Sequence, residues 1–328
     1  MKTPILAAGF LCVANLAMAE TPVLNVMTYD SFVSEWGPGP AIETAFEATC
    51  ACDLVFTGAG DGAALLARVQ LEGAASEADV VLGLDTSLTA QATATGLFAT
   101  HGQTVEMTLP VPYADANFLP FDWGWFAFVY DNTKLTTPPK SFEELAASDL
   151  KVVIQDPRSS TPGLGLLLWV KAAYGDKAAQ VWADLADNIV TVTPGWSEAY
   201  GMFTDGQVDM VLSYTTSPAY HLIAETDATK SAAAFAEGHY MQVEVMGKLA
   251  ATDQGALADQ FMAFMLSDAT QAGLITTNWM YPAKTPAAGL PAGFETLITP
   301  EKSLLMSADE AQAARGPALD EWRAALSQ

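Results

Sequence analysis

The sequence contains two series of alternating strands and helices. One long apolar strand pattern lies between the two series and another follows the second series, and this order constrains the fold more than any other feature. The first series runs through residues 23–96 and the second through residues 151–214. The long patterns are Phe118–Tyr130, which is dense in aromatic residues, and His239–Met246. Alternating strands and helices are typical of a parallel sheet covered by helices. Two such series joined by two crossing strands predict a bilobal α/β protein.

The crossing strands also predict where each lobe begins and ends. Lobe one would comprise residues 20–125 and 243–328, and lobe two residues 126–242. Part of the C-terminal helical region can pack on lobe two. In such a protein a ligand binds between lobes that close by a hinge. A single α/β domain with insertions is the alternative that the pattern leaves open.

Residues 1–19 have the pattern of a secretory signal peptide. Lys2 gives a positive start, residues 4–18 are almost all apolar, and Ala17-Met18-Ala19 is a small-x-small cleavage site. The apolar run is too short to span a bilayer, and the residues before Cys12 do not fit a lipid-attachment motif. We therefore expect cleavage after Ala19 and a mature protein in the periplasm.

The net charge of −24 at pH 7 argues against polyanionic partners. A strongly acidic surface repels nucleic acid and anionic membranes. The charge favours solubility but does not identify a ligand, because a local pocket can differ in charge from the whole surface. Hydrophobic residues form 51% of the chain, which excludes general disorder.

Two cysteines, Cys50 and Cys52, remain after the predicted cleavage. In an oxidising compartment a Cys-x-Cys pair can close a small disulfide. A redox or metal pair is the alternative, although redox motifs usually have two intervening residues and no histidine cluster lies nearby in sequence. A disulfide across so short a loop would contribute modestly to stability.

Two polar clusters precede predicted helices in the second series. In Asp156–Gly163, the hydroxyl groups of Ser160 and Thr161 and free backbone N–H groups suit a phosphate or carboxylate. Capping of the helix by either hydroxyl is the commoner use of such residues. In Gly195–Tyr200, the face of Trp196 could stack on an aromatic or cationic ring, or the residue could belong to the core.

Three further clusters follow strands at the sheet edge where α/β proteins bind ligands. In Ser213–Tyr220, an unbroken run of hydroxyl residues could contact a ligand, or one of them could cap the next helix. Asp61, in the glycine-rich stretch 58–62, could cap a helix or recognise an amine or cation. The segment Tyr29–Phe32, with Trp36 shortly after it, lies after the first strand.

Catalysis has little support in the sequence. His101, His221 and His239 lie outside any nucleophile motif, and no metalloprotease, dinucleotide or Gly-x-Ser-x-Gly pattern occurs. These observations favour a binding protein without catalytic or metal-ligating residues. A secreted hydrolase, with Ser, His and Asp assembled in space, is the alternative from another class.

Taken in order, these clusters resemble the periplasmic thiamine-binding protein family of ABC importers over nearly the whole mature chain. The resemblance is strongest in these segments: TYDSFVSEWGPGPAIETAFEATCACDL, ADVVLGLD, QDPRSSTPGLGLLLW, TVTPGWSEAYG, LSYTTSPAYH, EGHYMQVEV and NWMYPA. It implies a bilobal type II periplasmic binding-protein fold that captures thiamine, thiamine monophosphate or thiamine pyrophosphate without catalysis. It also implies a cognate permease in the inner membrane as partner, a monomeric chain and no cofactor.

The resemblance assigns roles to matching residues. Ser160 and Thr161 would hold a phosphate, and Asp61 and Gly62 would border the ligand, with Asp61 facing a positive or amino group. Trp196 and Tyr214 would be aromatic contacts of the ligand. The polar wall would consist of Thr215, Thr216 and Ser217. Looser candidates near the cleft are Tyr29, Trp36, Trp279 and Tyr281. The glycine-rich stretch before Asp61 departs from the bulkier family pattern.

Two other ligands are compatible with the same fold. Ferric ion would require a concentrated set of tyrosine, histidine and carboxylate ligands, and Tyr214 and Tyr220 alone do not provide one. A polyamine would require several carboxylates in the cleft instead of hydroxyl groups at a helix start.

Overall fold

The structure, a computed structural model, describes residues 21–327. The predicted signal peptide and its cleavage site after Ala19 therefore lie outside the described residues. Within residues 21–327, no helix combines the length and apolar character needed to cross a membrane.

Strands and helices alternate along most of the described chain. The strands are β1 (Val23–Thr28), β2 (Asp53–Gly58), β3 (Val80–Asp85), β4 (Phe118–Asp131), β5 (Val152–Gln155), β6 (Ile189–Thr193), β7 (Met210–Tyr214), β8 (Lys230–Ala232), β9 (His239–Lys248), β10 (Tyr281–Pro282) and β11 (Ser303–Leu304). The α-helices are α1 (Asp30–Val33), α2 (Gly39–Cys50), α3 (Gly62–Glu72), α4 (Thr89–Ala94), α5 (Phe142–Ala146), α6 (Thr161–Tyr174), α7 (Ala178–Leu185), α8 (Trp196–Thr204), α9 (Ser217–Ala224), α10 (Gly255–Met265), α11 (Asp268–Thr277) and α12 (Ala308–Leu326).

The sheet contains two parallel groups separated by two antiparallel strands. Its main strand order is β2-β1-β3-β9-β4-β7-β5-β6. Strand β1 pairs in parallel with β2 and β3, and β5 pairs in parallel with β6 and β7. Strands β9 and β4 lie between the groups and are antiparallel to their neighbours. We refer to the part built on β1–β3 as lobe one and the part built on β5–β7 as lobe two.

Strand β4 changes its partner along its length. Residues 118–125 pair with β9, whereas residues 126–130 pair with β7. We propose lobe boundaries at residues 125/126, where β4 changes partner, and at residues 242/243, just before the part of β9 that pairs with β3.

Helices pack on the sheet in both lobes and bury an apolar core in each. Helix α6 has buried residues from Thr161 to Val170, since it lies between the sheet on one side and α7 and α12 on the other. Helix α12 contacts α6 and α7 of lobe two and also α4 of lobe one. Helix α10 packs on α2, in the apolar cluster of lobe one. The last helix therefore packs mainly on lobe two, although its sequence follows lobe one.

Several elements differ from those that the sequence predicts. Helix α6 begins at Thr161, inside the polar cluster Asp156–Gly163 that was predicted to precede it, because Pro162 fits a first turn that requires no N–H donor. Helix α11 and the short strand β8 lie outside the two predicted series and the two long strands. At the start of α5, Ser141 Oγ accepts from Glu144 N, and the Glu144 carboxylate accepts from Lys140 N.

Cys50 and Cys52 form a disulfide at the end of α2. Ala51 between them has a left-handed backbone, with φ of 51°. Cys52 is buried and is followed directly by β2. The disulfide therefore fixes the connection between α2 and β2, and neither cysteine lines the cleft described below.

Candidate functional site

A cleft of about 400 Å³ lies between the two lobes. Three carboxylates line it, from Asp61, Glu225 and Glu244, and no lysine, arginine or histidine among residues 21–327 does so. Aromatic side chains form much of the wall: Tyr29, Trp36, Trp196, Tyr200, Tyr214, Tyr220 and Trp279. Such a lining suits a ligand that carries positive charge and flat rings.

The residues of the cleft lie where strands of both lobes end. Tyr29 follows β1, Asp61 lies after β2, and Tyr214 is the last residue of β7. Trp196 is the first residue of α8, after β6. Because the carboxyl ends of parallel strands meet at one edge of each group, residues far apart in sequence converge on one cleft.

Asp61 connects the lobes. Its carboxylate does not cap its own helix, although it occupies the N-cap position of α3. Instead, Asp61 Oδ2 accepts hydrogen bonds from Ser160 Oγ at 2.7 Å and from Trp196 N at 3.1 Å, both in lobe two. Ser160 makes no capping bond to α6, so neither residue has the simple capping role. These bonds hold the cleft in a closed arrangement.

A second contact between the lobes lies beside Asp61. Gly62 N donates to Thr161 Oγ1 at 3.2 Å, and Ala64 N donates to Ser159 O at 3.0 Å. A Cβ atom at Gly62 would lie 2.4 Å from Thr161 Oγ1 and 2.9 Å from Gly83 O. A side chain at residue 62 would therefore clash with Thr161 of lobe two and with the backbone of Gly83 in lobe one, and glycine permits the close approach.

Burial of Asp61 changes its acidity. The pKa of this carboxyl group is raised to about 6, chiefly because burial disfavours the charged form. The hydrogen bonds from Ser160 and Trp196 oppose that rise, while the nearby Glu198 adds to it. Asp61 therefore titrates closer to neutrality than an exposed aspartate.

Trp196 is held in the wall by its neighbours. Its Nε1 donates to Ser213 Oγ at 2.8 Å, and its ring stacks on Tyr200 with centroids 4.7 Å apart. Tyr200 OH and His221 Nε2 share a hydrogen bond of 2.9 Å. Trp36 of lobe one lies 6.2 Å from Trp196, centroid to centroid, and is 56% exposed. The Trp196 ring is thus fixed in orientation, with one aromatic residue from the opposite lobe beside it.

The floor of the cleft is a buried hydrogen-bond network on the crossing strands. Tyr29 OH donates to Glu244 Oε2 at 3.1 Å, and Gln242 Nε2 donates to Glu244 Oε1 at 2.7 Å. Tyr214 OH donates to Gln242 Oε1 at 3.0 Å. The network therefore includes residues from both lobes and from β9.

A second carboxyl group lies in the same network. Asn278 Nδ2 donates to Asp122 Oδ2 at 2.6 Å and contacts Tyr29 OH at 2.9 Å. Burial raises the pKa of Asp122 to about 7. The pKa of Glu244 is raised well above its ordinary value, first by burial and then by the charge of Asp122.

Most of the residues that the sequence singled out are brought together here. Those that line the cleft are Tyr29, Trp36, Asp61, Gly62, Thr161, Trp196, Tyr214, Ser217 and Trp279. Ser160, Thr215 and Thr216 are buried behind the wall, and Tyr281 stacks on Trp123 with centroids 4.6 Å apart. The assignment of these residues to a ligand stays a prediction.

Sequence reasoning missed several lining residues, of which Glu244 and Asn278 matter most. Glu244 lies inside a buried, apolar strand, a pattern that predicts packing and not ligand binding. A signal was present, because Gln242 and Glu244 are two residues apart in that strand and so share a face. Asp122 is likewise a carboxyl residue inside a buried apolar strand, in this case the aromatic strand β4.

A possible metal-binding group lies at the edge of the cleft, but its surroundings do not favour an ion. Ligand atoms of His221, Glu225 and Asp227 lie within 4.8 Å of one another. His221 Nδ1 is 2.7 Å from Glu225 Oε2, and its other nitrogen contacts Tyr200. The ammonium group of Lys230 lies 3.1 Å from Asp227 Oδ2 and supplies the positive charge there.

The histidines give no support to a hydrolase. None of the three lines the cleft, and each is buried. His239 is bonded to backbone groups of Phe126 and Phe235, and His101 to those of Gln103 and Asp115.

Comparison with known proteins gives a consistent result. A family model for bacterial extracellular solute-binding proteins matches residues 39–272. The thiamine-binding periplasmic protein of Salmonella typhimurium is 53% identical over 321 residues, covering 97% of each chain. That of Escherichia coli is 51% identical over 310 residues, covering 94% of each chain.

Solved structures agree with the fold. A periplasmic thiamin binding protein matches with a TM-score of 0.91 at 50% identity, over 94% of this chain and 97% of that chain. Iron-bound HitA from Pseudomonas aeruginosa matches with a TM-score of 0.72 at 19% identity, over 93% of this chain and 99% of that chain. At that identity the second likeness concerns the fold alone. The predicted bilobal type II binding-protein fold is confirmed.

Proposed function

This chain belongs to the bacterial extracellular solute-binding protein family, and we propose that it captures thiamine, thiamine monophosphate or thiamine pyrophosphate for delivery to an ABC permease. The observation that carries the proposal is a closed cleft with seven aromatic side chains, three carboxylates and no basic side chain among residues 21–327. The names of the relatives support the same ligand class.

The chemistry of thiamine matches this lining. Thiamine joins a cationic thiazolium to an aminopyrimidine, so it offers two flat rings and one positive charge. Aromatic faces bind both rings and attract the cation. We assign ring contacts to Trp196 and Tyr214, and we place Asp61 and Gly62 at the border of the ligand, where Asp61 adds negative charge.

The phosphate of a phosphorylated ligand would lie at the start of α6. Thr161 provides a hydroxyl group in the cleft wall there, and Ser160 provides one behind the wall, which donates to Asp61 in the closed arrangement. The helix N-terminus provides N–H donors and a positive dipole end. We place Thr215, Thr216 and Ser217 in the polar wall. Tyr29, Trp36, Trp279 and Tyr281 are looser candidates.

The double variant Ser160→Ala, Thr161→Ala tests the phosphate assignment. Both hydroxyl groups also join the lobes, so we expect weaker binding of every form. The loss should be about tenfold larger for the two phosphates than for free thiamine, because charge-assisted hydrogen bonds are lost only there. Titration calorimetry with the three ligands measures the difference, and equal losses would contradict the assignment.

We further propose that the mature chain acts in the periplasm as a monomer, without a cofactor and without catalysing a reaction. The family and the periplasmic relatives support this proposal. Removal of residues 1–19 and docking on an inner-membrane permease complete the proposed route. The acidic surface disfavours nucleic acid as a partner.

Two ligands of related proteins serve as comparisons. Ferric ion requires tyrosine phenolates, but burial and then the charge of Glu244 raise the pKa of Tyr214 well above its ordinary value. A polyamine is the second candidate, because three carboxylates line the cleft. Its aliphatic chain would leave the aromatic faces without ring partners.

Titration calorimetry of the mature chain decides among these ligands. We expect one site per chain, with thiamine and its phosphates binding at micromolar concentration or below, and spermidine and ferric ion much more weakly. Absence of thiamine binding at micromolar concentration would refute the proposed function.

A further inference from the structure

Two carboxyl groups on the crossing strands have no part in the contacts proposed so far. We infer that Asp122 and Glu244 form a proton-sharing pair that receives the positive charge of the ligand and releases its proton to solvent on binding. The inference rests on the proposed function, since it requires a cationic ligand in this cleft.

The register of the sheet places the two groups together. Asp122 of β4 is directly opposite Glu244 of β9, so their side chains share one face of the sheet. Glu244 lines the cleft, whereas Asp122 lies behind it and is fully buried. Asp122 Oδ1 is buried and accepts no hydrogen bond from residues 21–327. A proton shared with the opposite carboxyl group of Glu244 would give this oxygen a partner.

The groups around the pair explain why it holds a proton. Tyr29 and Tyr214 face Glu244 from the ends of β1 and β7, and Asp85 faces it from β3. The uncharged donors are Gln242 Nε2 and Asn278 Nδ2. None of these groups is a cation, so two buried carboxylates cannot both ionise readily.

Arg315, which acts on the neighbouring Asp85, does not replace the proton. Arg315 of α12 acts on Asp85, and its Nη1 donates to Gln91 at 2.6 Å. It does not line the cleft. A ligand cation above Glu244 would be the first positive charge to reach the pair, and it would favour ionisation of both groups.

The other carboxylates of the cleft already have strong partners. Asp61 Oδ2 accepts two hydrogen bonds across the cleft. Glu225 accepts from Tyr220 OH and is bonded to His221 Nδ1 at the cleft edge. Glu244, like Asp61, accepts only from uncharged donors, which are Tyr29 and Gln242. It differs from Asp61 in having a second fully buried carboxyl group, that of Asp122, directly opposite it.

The exchange is balanced in charge and protons. The protein with one shared proton binds a ligand of charge +1, and the complex retains the ligand while one proton passes to buffer. Affinity for the cation must therefore rise with pH while the unliganded pair still holds its proton, and it must level off at higher pH.

Calorimetry of the mature chain with thiamine tests this exchange. Titrations at pH 6, 7 and 8, each in buffers of different ionisation enthalpy, give the number of protons released. We expect release of up to about one proton per thiamine at the lower pH values, declining as the pair ionises in the free protein. Binding of thiamine without proton release at any of these pH values would overturn the inference and leave the proposed function intact.

Two variants separate the roles of the pair. Glu244→Gln should weaken thiamine binding about tenfold or more and abolish proton release, because it removes the charge that faces the ligand. Asp122→Asn should keep the affinity within a few-fold and reduce proton release, since Glu244 then ionises without the carboxyl group of Asp122 opposite it. Glu72→Gln, on the exposed side of α3, is the control and should match the wild-type protein in both measurements.

Thermal unfolding of each variant shows whether the variant is folded. A Glu244→Gln protein with a wild-type unfolding midpoint and unchanged thiamine affinity would overturn the inference. If Glu244→Gln does not fold, the inference is tested by the pH dependence of proton release in the wild-type protein and in Asp122→Asn. Equal proton release by those two proteins would assign the proton to another group and reject the pair.

Discussion

At the scale of single residues, Trp196 has the most direct proposed contact with the ligand. Its Nε1 bond to Ser213 and its stacking on Tyr200 hold the ring in one orientation before a ligand binds. A ring that is already ordered loses little conformational entropy on binding.

We therefore expect Trp196→Ala to weaken binding of thiamine and both phosphates alike, by about 2–3 kcal/mol or roughly 30- to 150-fold. Trp196→Phe retains an aromatic face and should lose much less. Calorimetric titration of both variants checks the prediction. An unchanged affinity in Trp196→Ala would make Trp196 a packing residue.

Asp61 has a different role, because its carboxylate joins the two lobes. Asp61→Ala removes both acceptor contacts and should weaken thiamine binding about tenfold or more. Asp61→Asn retains an oxygen that can accept from Ser160 and Trp196, so it should lose less. Similar losses in the two variants, measured by calorimetry, would show that the charge of Asp61 matters more than its hydrogen bonds.

The acidity of Asp61 gives a pH dependence with a definite sign. Its pKa is raised to about 6 in the closed arrangement, whereas an exposed aspartate has a pKa of about 4. The closed arrangement therefore binds more protons between these values, and the contribution of Asp61 to closure declines as pH rises from about 4 through 6. Asp61→Asn should remove this part of the pH dependence of closure, measured by small-angle scattering.

The sequence predicted which residue types gather at the cleft but not what each side chain bonds to. Asp61 and Ser160 both occupy helix N-cap positions, and local rules predict that they bond to their own helices. They bond to each other instead, across 99 residues of chain. Only the tertiary fold brings such residues together.

At the scale of elements, α6 lies close to β4 in lobe two at Gly165. A Cβ atom at Gly165 would lie 2.0 Å from Cε2 of Phe126, whose ring is buried. The helix can lie this near to the strand only because residue 165 has no side chain.

Gly165→Ala should therefore lower the free energy of unfolding by about 1–3 kcal/mol through overpacking, despite the better helix propensity of alanine. Gly273 of α11 is a matched control, since a Cβ atom there meets nothing within 4 Å. Gly273→Ala should raise the free energy of unfolding by up to about 1 kcal/mol. Urea unfolding measures both, and a stabilised Gly165→Ala protein would contradict the packing account.

The order of elements was the most predictable part of the fold, for a physical reason. Apolar alternation and turn residues mark β1–β3 and β5–β7 locally, so their order follows from the sequence. The partner change within β4 depends on pairing with residues of β7 and β9 that are 80 or more residues away in the chain. The network around Glu244 arises from that pairing, and for this reason sequence analysis did not find it.

At the scale of the whole molecule, the two lobes are joined by few polar bonds beyond the crossing strands. The contacts at Asp61, Gly62 and Ala64 are hydrogen bonds from loops and helix starts. Bonds of this kind can open without disturbing either core.

We expect thiamine to lower the radius of gyration of the mature chain in small-angle scattering, because the ligand stabilises the closed arrangement of the lobes. Asp61→Ala should have a larger radius than the wild-type protein without ligand. A radius that does not change with saturating thiamine in the wild-type protein would indicate that the cleft binds its ligand without closure.

The central claim is that thiamine binds between the lobes, with its rings against the aromatic wall and its charge above Glu244. A crystal structure of the mature chain grown with thiamine tests this most directly. The account predicts one ligand in the cleft, in contact with Trp196 and Tyr214, with the thiazolium within reach of Glu244. Thiamine bound elsewhere on the chain, with the cleft free of it, would contradict the account.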